Sequence, residues 1–120
     1  MTPAELRALC LSHNAAVEDF PFPSNPGLSA FKVLGKVFAI SALAEEPLKV
    51  SLTCDPELAV GLRAAHPAIA PGRYLDKRHW NTATLDGSLP DDMVADLIED
   101  SYALVVATLP RAHRLRLGRP

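Results

Sequence analysis

The chain has 120 residues, 48% hydrophobic and 22% charged, with a net charge of −2; this is one domain's worth of core-forming protein, not a disordered tail, fibrous repeat or collagen-like chain. The longest apolar run, Ala103-Leu104-Val105-Val106-Ala107, is too short for a membrane span, and Met1-Thr2-Pro3-Ala4-Glu5 lacks the regions of a signal peptide. Cys10 and Cys54 are far apart and have no zinc-like or disulfide-framework spacing, so a soluble, cytoplasmic single domain is expected.

Thr2-Pro3-Ala4-Glu5 is a capping box with proline at the first helical position. Leu6, Leu9, Cys10, His13 and Val17 then recur at helical spacing, and His13-Asn14 ends the helix. Phe20-Pro21-Phe22-Pro23-Ser24-Asn25-Pro26-Gly27 is an extended connection. Strands over 29–33 and 37–43 flank Leu34-Gly35-Lys36 as a hairpin. Leu48, Val50 and Leu52 alternate with Lys49, Ser51 and Thr53, predicting a third strand with one buried and one open face. Asp55 caps a second helix with Pro56 at its start and an apolar stripe of Leu58, Leu62 and Ala65; His66-Pro67 stops it. Beyond the turn 70–73, residues 73–75 and 80–85 read as short strands joined by Asp76-Lys77-Arg78-His79. Pro90-Asp91-Asp92 opens the longest helix, with Val94, Leu97, Ile98, Ser101, Val105 and Thr108 inward and Pro110 at its end.

The order α-β-β-β-α-β-β-α predicts an α+β two-layer sandwich over residues 1–110: an antiparallel sheet with helices on one face. Residues 111–120 form a basic C-terminal tail carrying Arg111, Arg114, Arg116 and Arg119. All 14 acids lie before that tail, so the body repels phosphate at long range.

Several blocks together resemble the MmcQ/YjbR family of small bacterial proteins over nearly the whole chain. They are Phe31-Lys32-Val33-Leu34-Gly35-Lys36-Val37-Phe38, Cys54-Asp55-Pro56-Glu57, residues 71–82 with Lys77-Arg78-His79-Trp80-Asn81-Thr82, Leu85-Asp86-Gly87-Ser88-Leu89-Pro90-Asp91-Asp92, and Ser101-Tyr102-Ala103-Leu104-Val105-Val106. The resemblance implies a CyaY-like fold, compared also with secretion chaperones, and DNA binding through a saddle-shaped sheet called a double wing.

On that expectation, Lys32 and Lys49 on the polar phase of their strands and Lys36 at the hairpin tip meet phosphates of double-stranded DNA from the open sheet face. Arg73, Lys77, Arg78 and His79 stand at its rim. Trp80 is expected as a core anchor. The competing expectation is a protein-interaction or chaperone-like module that takes a protein or peptide on the same face, as a monomer or weak homodimer.

An enzyme is not expected. No Gly-rich phosphate loop is present, Cys10 reads as a core residue, and Ser101 sits mid-helix facing inward, bonding back to a carbonyl. No cofactor or metal is expected, since Asp92, Asp96, Glu99 and Asp100 lie on an open helix face without an enclosing loop.

Overall fold

The capping box closes as its sequence requires. In the computed structural model, which describes residues 1–73 and 75–119, the Glu5 amide donates to Thr2 Oγ1 and the Thr2 amide to Glu5 Oε1, each at 3.1 Å. The helix so started, α1 (Pro3–Leu11), stops earlier than its apolar spacing predicts. Ala15 takes a left-handed φ of 60° and turns the chain into β1 (Ala16–Asp19). Val17, expected on the inner helical stripe, is therefore a strand residue and 55% exposed. A four-residue strand is too short to announce a period of two.

β2 (Ser29–Val33) and β3 (Lys36–Ser41) form the expected hairpin. Leu34 and Gly35 both have positive φ, the two-residue turn whose twist matches the strands it joins. β4 (Lys49–Thr53) precedes α2 (Pro56–Ala65), where Asp55 Oδ1 accepts from the Glu57 and Leu58 amides. The next strand is β5 (Ile69–Pro71), not residues 73–75. Arg73 and Leu75 lie in a bend, and Tyr74 is outside the described residues. β5 is fixed where it is by Thr84 N–H to Ala68 O and Gly72 N–H to Trp80 O, which hold 68–72 along β6 (Trp80–Thr84). Ile69 N–H turns instead to His66 O. α3 (Asp91–Ala107) and a short α4 (Arg111–Arg116) complete the chain.

The six strands form one antiparallel sheet in the order β1-β2-β3-β4-β6-β5. Register places Phe31, Val33, Ala39, Val50, Leu52 and Ala83 on one face, where they join Leu6, Cys10, Val94, Ile98 and Tyr102 from the helices in one core. A bulge interrupts the β2–β3 ladder: Phe31 pairs with Ala39 but Lys32 with Val37, leaving Phe38 unpaired in register and buried. Its carbonyl accepts from Ser101 Oγ of α3 at 2.6 Å, and the same hydroxyl accepts from Thr53 N–H at 3.0 Å. Ser101 thus faces inward as expected, but it bonds across to the sheet, because the bulge and the end of β4 offer it two unpaired backbone groups.

The second face is less open than its alternation predicts. Ala30, Ile40, Ser51 and Thr82 are buried there. Ser51 Oγ lies 2.8 Å from Thr82 Oγ1, which accepts from Arg73 N–H, and the Arg73 guanidinium reaches Glu45 at 2.7 Å. The segments after β3 and β5 thereby close over the middle of the sheet. The basic tail is ordered over its described residues. Leu117 packs against the core, and the Arg119 guanidinium lies 5.1 Å from the centroid of the Tyr102 ring. Tyr102 also stacks on His13, whose pKa burial lowers, and donates its hydroxyl to Asn14 O. Among the described residues no helix is long and apolar enough to cross a membrane.

Ser101→Ala removes both cross-layer bonds and leaves a buried carbonyl and amide without that partner. The expected loss is about 2 kcal/mol of unfolding free energy, read from urea denaturation.

Candidate ligand-binding site

The sequence-predicted cations do not converge on one surface. Lys32 projects from the second sheet face but is paired with Asp19 at 2.7 Å, a contact that holds the Asp19 carboxyl below its ordinary range. Lys49 is half-buried beside Ser51 and Arg73. Arg73 is engaged by Glu45, whose carboxyl it likewise holds low. The other four lie elsewhere. Lys36 opens β3 and lines a shallow hollow with Cys54, Pro56 and His79. Lys77 and Arg78 are exposed on the link into β6, and Arg78 shares a second hollow with Arg63 and Glu57. His79 Nδ1 meets Asp76 Oδ2 at 2.7 Å. The Arg78 amide, and after it His79, keeps the Asp76 carboxyl below its usual range. Trp80, expected as a core anchor, is half-buried at the start of β6. Gly72 packs so closely on it that an added Cβ would sit 2.6 Å from Trp80 Cβ.

The sequence did not single out an apolar cleft between the two longer helices. α2 lies over β5 and β6, whereas α3 lies over β2, β3 and β4. Between the two helices runs a cleft of about 360 Å³. Leu58 and Leu62 of α2 form one wall, Leu97, Ala103, Leu104 and Ala107 of α3 the other, and Leu52, Ile69 and Ala83 the floor. Leu58 and Leu104 remain 50% and 40% exposed. The polar lining is Thr53, Cys54, Asp55, Asn81 and Asp100. Asn81 is held from both sides, Nδ2 donating to Ala59 O and Oδ1 accepting from Arg63. Volume and lining suit a small ligand with an apolar body. Helical periodicity had marked Leu58, Leu62 and Leu97 as inward; it carries no signal for whether the neighbouring helix closes over them.

The YjbR family model matches residues 11–104. The chain belongs to the YjbR family. It is 37% identical over 114 residues to the uncharacterized protein YjbR of Escherichia coli K12, with 95% of each chain covered. To YbdF of E. coli O157:H7 it is 29% identical over 96 residues, covering 80% of this chain and 79% of that one. The crystal structure of a Deinococcus radiodurans protein with a DUF419 domain superposes with a TM-score of 0.89 at 40% identity, covering 99% of this chain and 89% of the other. A Pseudomonas syringae crystal structure gives 0.75 at 25% identity, over 87% and 98%. The YjbR-family fold implied by the sequence blocks is thus the fold of this chain.

Neither thiol of this YjbR-family chain is poised for nucleophilic chemistry. Burial, with Glu18 nearby, pushes the Cys10 thiol up to about 12. Burial also raises Cys54, and the carboxylates of Asp55 and Asp100 raise it further. At pH 8 a disulfide reagent is therefore expected to label Cys54 slowly and Cys10 only after denaturation. An Asp55→Asn/Asp100→Asn variant should label faster at Cys54, followed by absorbance of the released thiolate.

Proposed function

We propose that this chain is a non-catalytic binding domain of the YjbR family that receives an apolar group in the cleft between α2 and α3. One observation carries the reading: Leu58 and Leu104, on opposite walls, stay about half exposed over a preformed apolar floor. Leaving large apolar side chains in water at a concave site is unfavourable unless a partner covers them. Among the described residues no cysteine, serine or threonine side chain is hydrogen-bonded to a histidine ring, and burial and nearby carboxylates disfavour both thiolates. The reading keeps the expected interaction module but moves its surface from the sheet face to the helical layer.

The test is an NMR titration with 1-octanol. Amide shifts are expected to concentrate on α2, α3 and β6, with a dissociation constant on the order of 1 mM, equivalent to about 4 kcal/mol. Leu58→Ser/Leu104→Ser should weaken binding severalfold while the chain remains folded by circular dichroism. Shifts scattered over the surface, or unchanged affinity in the double variant, would defeat the reading.

A second reading, double-stranded DNA binding, draws on the family resemblance and on three of the seven residues expected for it. Lys36, Lys77 and Arg78 are exposed and have no side-chain ion pair among the described residues. Three phosphate contacts correspond to a slope of roughly −3 for log affinity against log salt. Fluorescence anisotropy with a labelled duplex should show that slope, and Lys36→Glu/Lys77→Glu/Arg78→Glu should abolish binding. Lys32→Glu, which loses a cation already neutralised by Asp19, should weaken it much less. Absence of salt-sensitive binding at low salt would count against duplex affinity.

A further inference from the structure

The apolar stripe that α3 presents to the cleft is interrupted once. Leu97, Ala103, Leu104 and Ala107 line the wall, and between them stands Asp100. Its carboxylate has neither an ion pair nor a hydrogen bond among the described residues. The other charged lining residue is also an acid, Asp55. Asp55 Oδ1 caps α2, while its second oxygen has no partner among the described residues. The end of β4 brings the two carboxylates near each other: Thr53 N–H, two residues before Asp55, is bonded to Ser101, the neighbour of Asp100, and both carboxylates act on Cys54 between them.

Nothing in the lining balances these charges. Among the described residues no lysine, arginine or histidine lines the cleft, and α3 contains none along its whole length. Arg63, the one cation of α2, bonds to Lys77 O and to Asn81 Oδ1 and keeps its charge; it offsets part of the negative potential from outside the lining, leaving two carboxylates against one guanidinium. Carboxylates beside an apolar surface favour a positive group there and disfavour a negative one. The compact volume favours a small molecule over a helix, which needs a row of anchors one turn apart.

We infer that the cleft selects an organic cation with an apolar body, an alkylamine in chemical class, whose ammonium lies against Asp100 and Asp55 while its chain lies between Leu58 and Leu104. The inference rests on the cleft reading above and adds the sign of the ligand's charge. An aliphatic ammonium supplies three N–H donors to the Asp100 carboxylate and to the second oxygen of Asp55, and its hydrocarbon covers the leucines the fold leaves exposed.

Three probes with one hydrocarbon chain test it by isothermal titration calorimetry at pH 7 and low salt, below their micellar concentrations: n-octylammonium, 1-octanol and octanoate. Octylammonium is expected to bind roughly five- to tenfold tighter than octanol, and octanoate more weakly than either. The preference should shrink with added salt. It should disappear in Asp55→Asn/Asp100→Asn, where asparagine preserves the helix cap and urea unfolding verifies the fold. If all three bind equally, the charge selectivity is wrong and the apolar cleft stands. If the preference survives the double variant, the assignment to these two carboxylates is overturned. If none binds, the cleft reading itself fails, and this inference with it.

Discussion

The hydroxyl of Ser101 fixes how the two layers meet. It donates to the carbonyl freed by the bulge at Phe38 and accepts from the last amide of β4, so it sets both the height and the roll of α3 over the sheet. Once that roll is set, the helical repeat decides everything around the helix. Val94, Ile98, Tyr102 and Val105 go into the core, and Leu97, Asp100 and Leu104 fall on the flank. Rotating α3 by one residue would bury the carboxylate and expose the tyrosine. Because β6 lies between β4 and β5 in the sheet, α2 is carried away from α3 and the flank stays uncovered. The cleft is a product of strand order as much as of side chains.

Charge is organised by the same scaffold. On the second sheet face, Lys32 and Arg73 are each neutralised by a carboxylate from a neighbouring strand or loop. They tie β1 to β2 and one covering segment to another, and their attraction for a distant phosphate falls accordingly. Lys36, Lys77 and Arg78, exposed and without an ion pair among the described residues, lie instead at the start of β3 and on the link into β6. The helical cleft has the opposite sign. Two surfaces of one small domain thus differ in the charge they would accept.

Much of this was legible in the chain. The capping box, the Asp55-Pro56 start of α2, the alternation of β4 and the proline-bounded α3 are local signals, and each appears within a residue or two of its expected place. What sequence missed depends on partners. β1 has four residues and an exposed valine. β5 is placed by hydrogen bonds to β6 rather than by its own composition. The tail's order comes from Leu117 meeting the core and Arg119 meeting Tyr102. The candidate site followed the same logic. Periodicity identified the leucines of α2 and α3 individually, but the gap between the helices is a property of the assembled sheet. The lysines were likewise readable as strand residues, while Asp19 and Glu45, which neutralise two of the cations, come from segments whose course was not.

The two margins of the sheet are chemically unequal. Along the outer side of β5, the amide of Ile69 is already taken by His66 O and Pro71 has none, so an incoming strand would meet acceptors without donors. β1 contains no proline. Strand-to-strand growth from this molecule is therefore confined to one side. Two copies that joined through β1 would each present only the blunted margin outward, and the assembly would close as a pair instead of running on into a fibre.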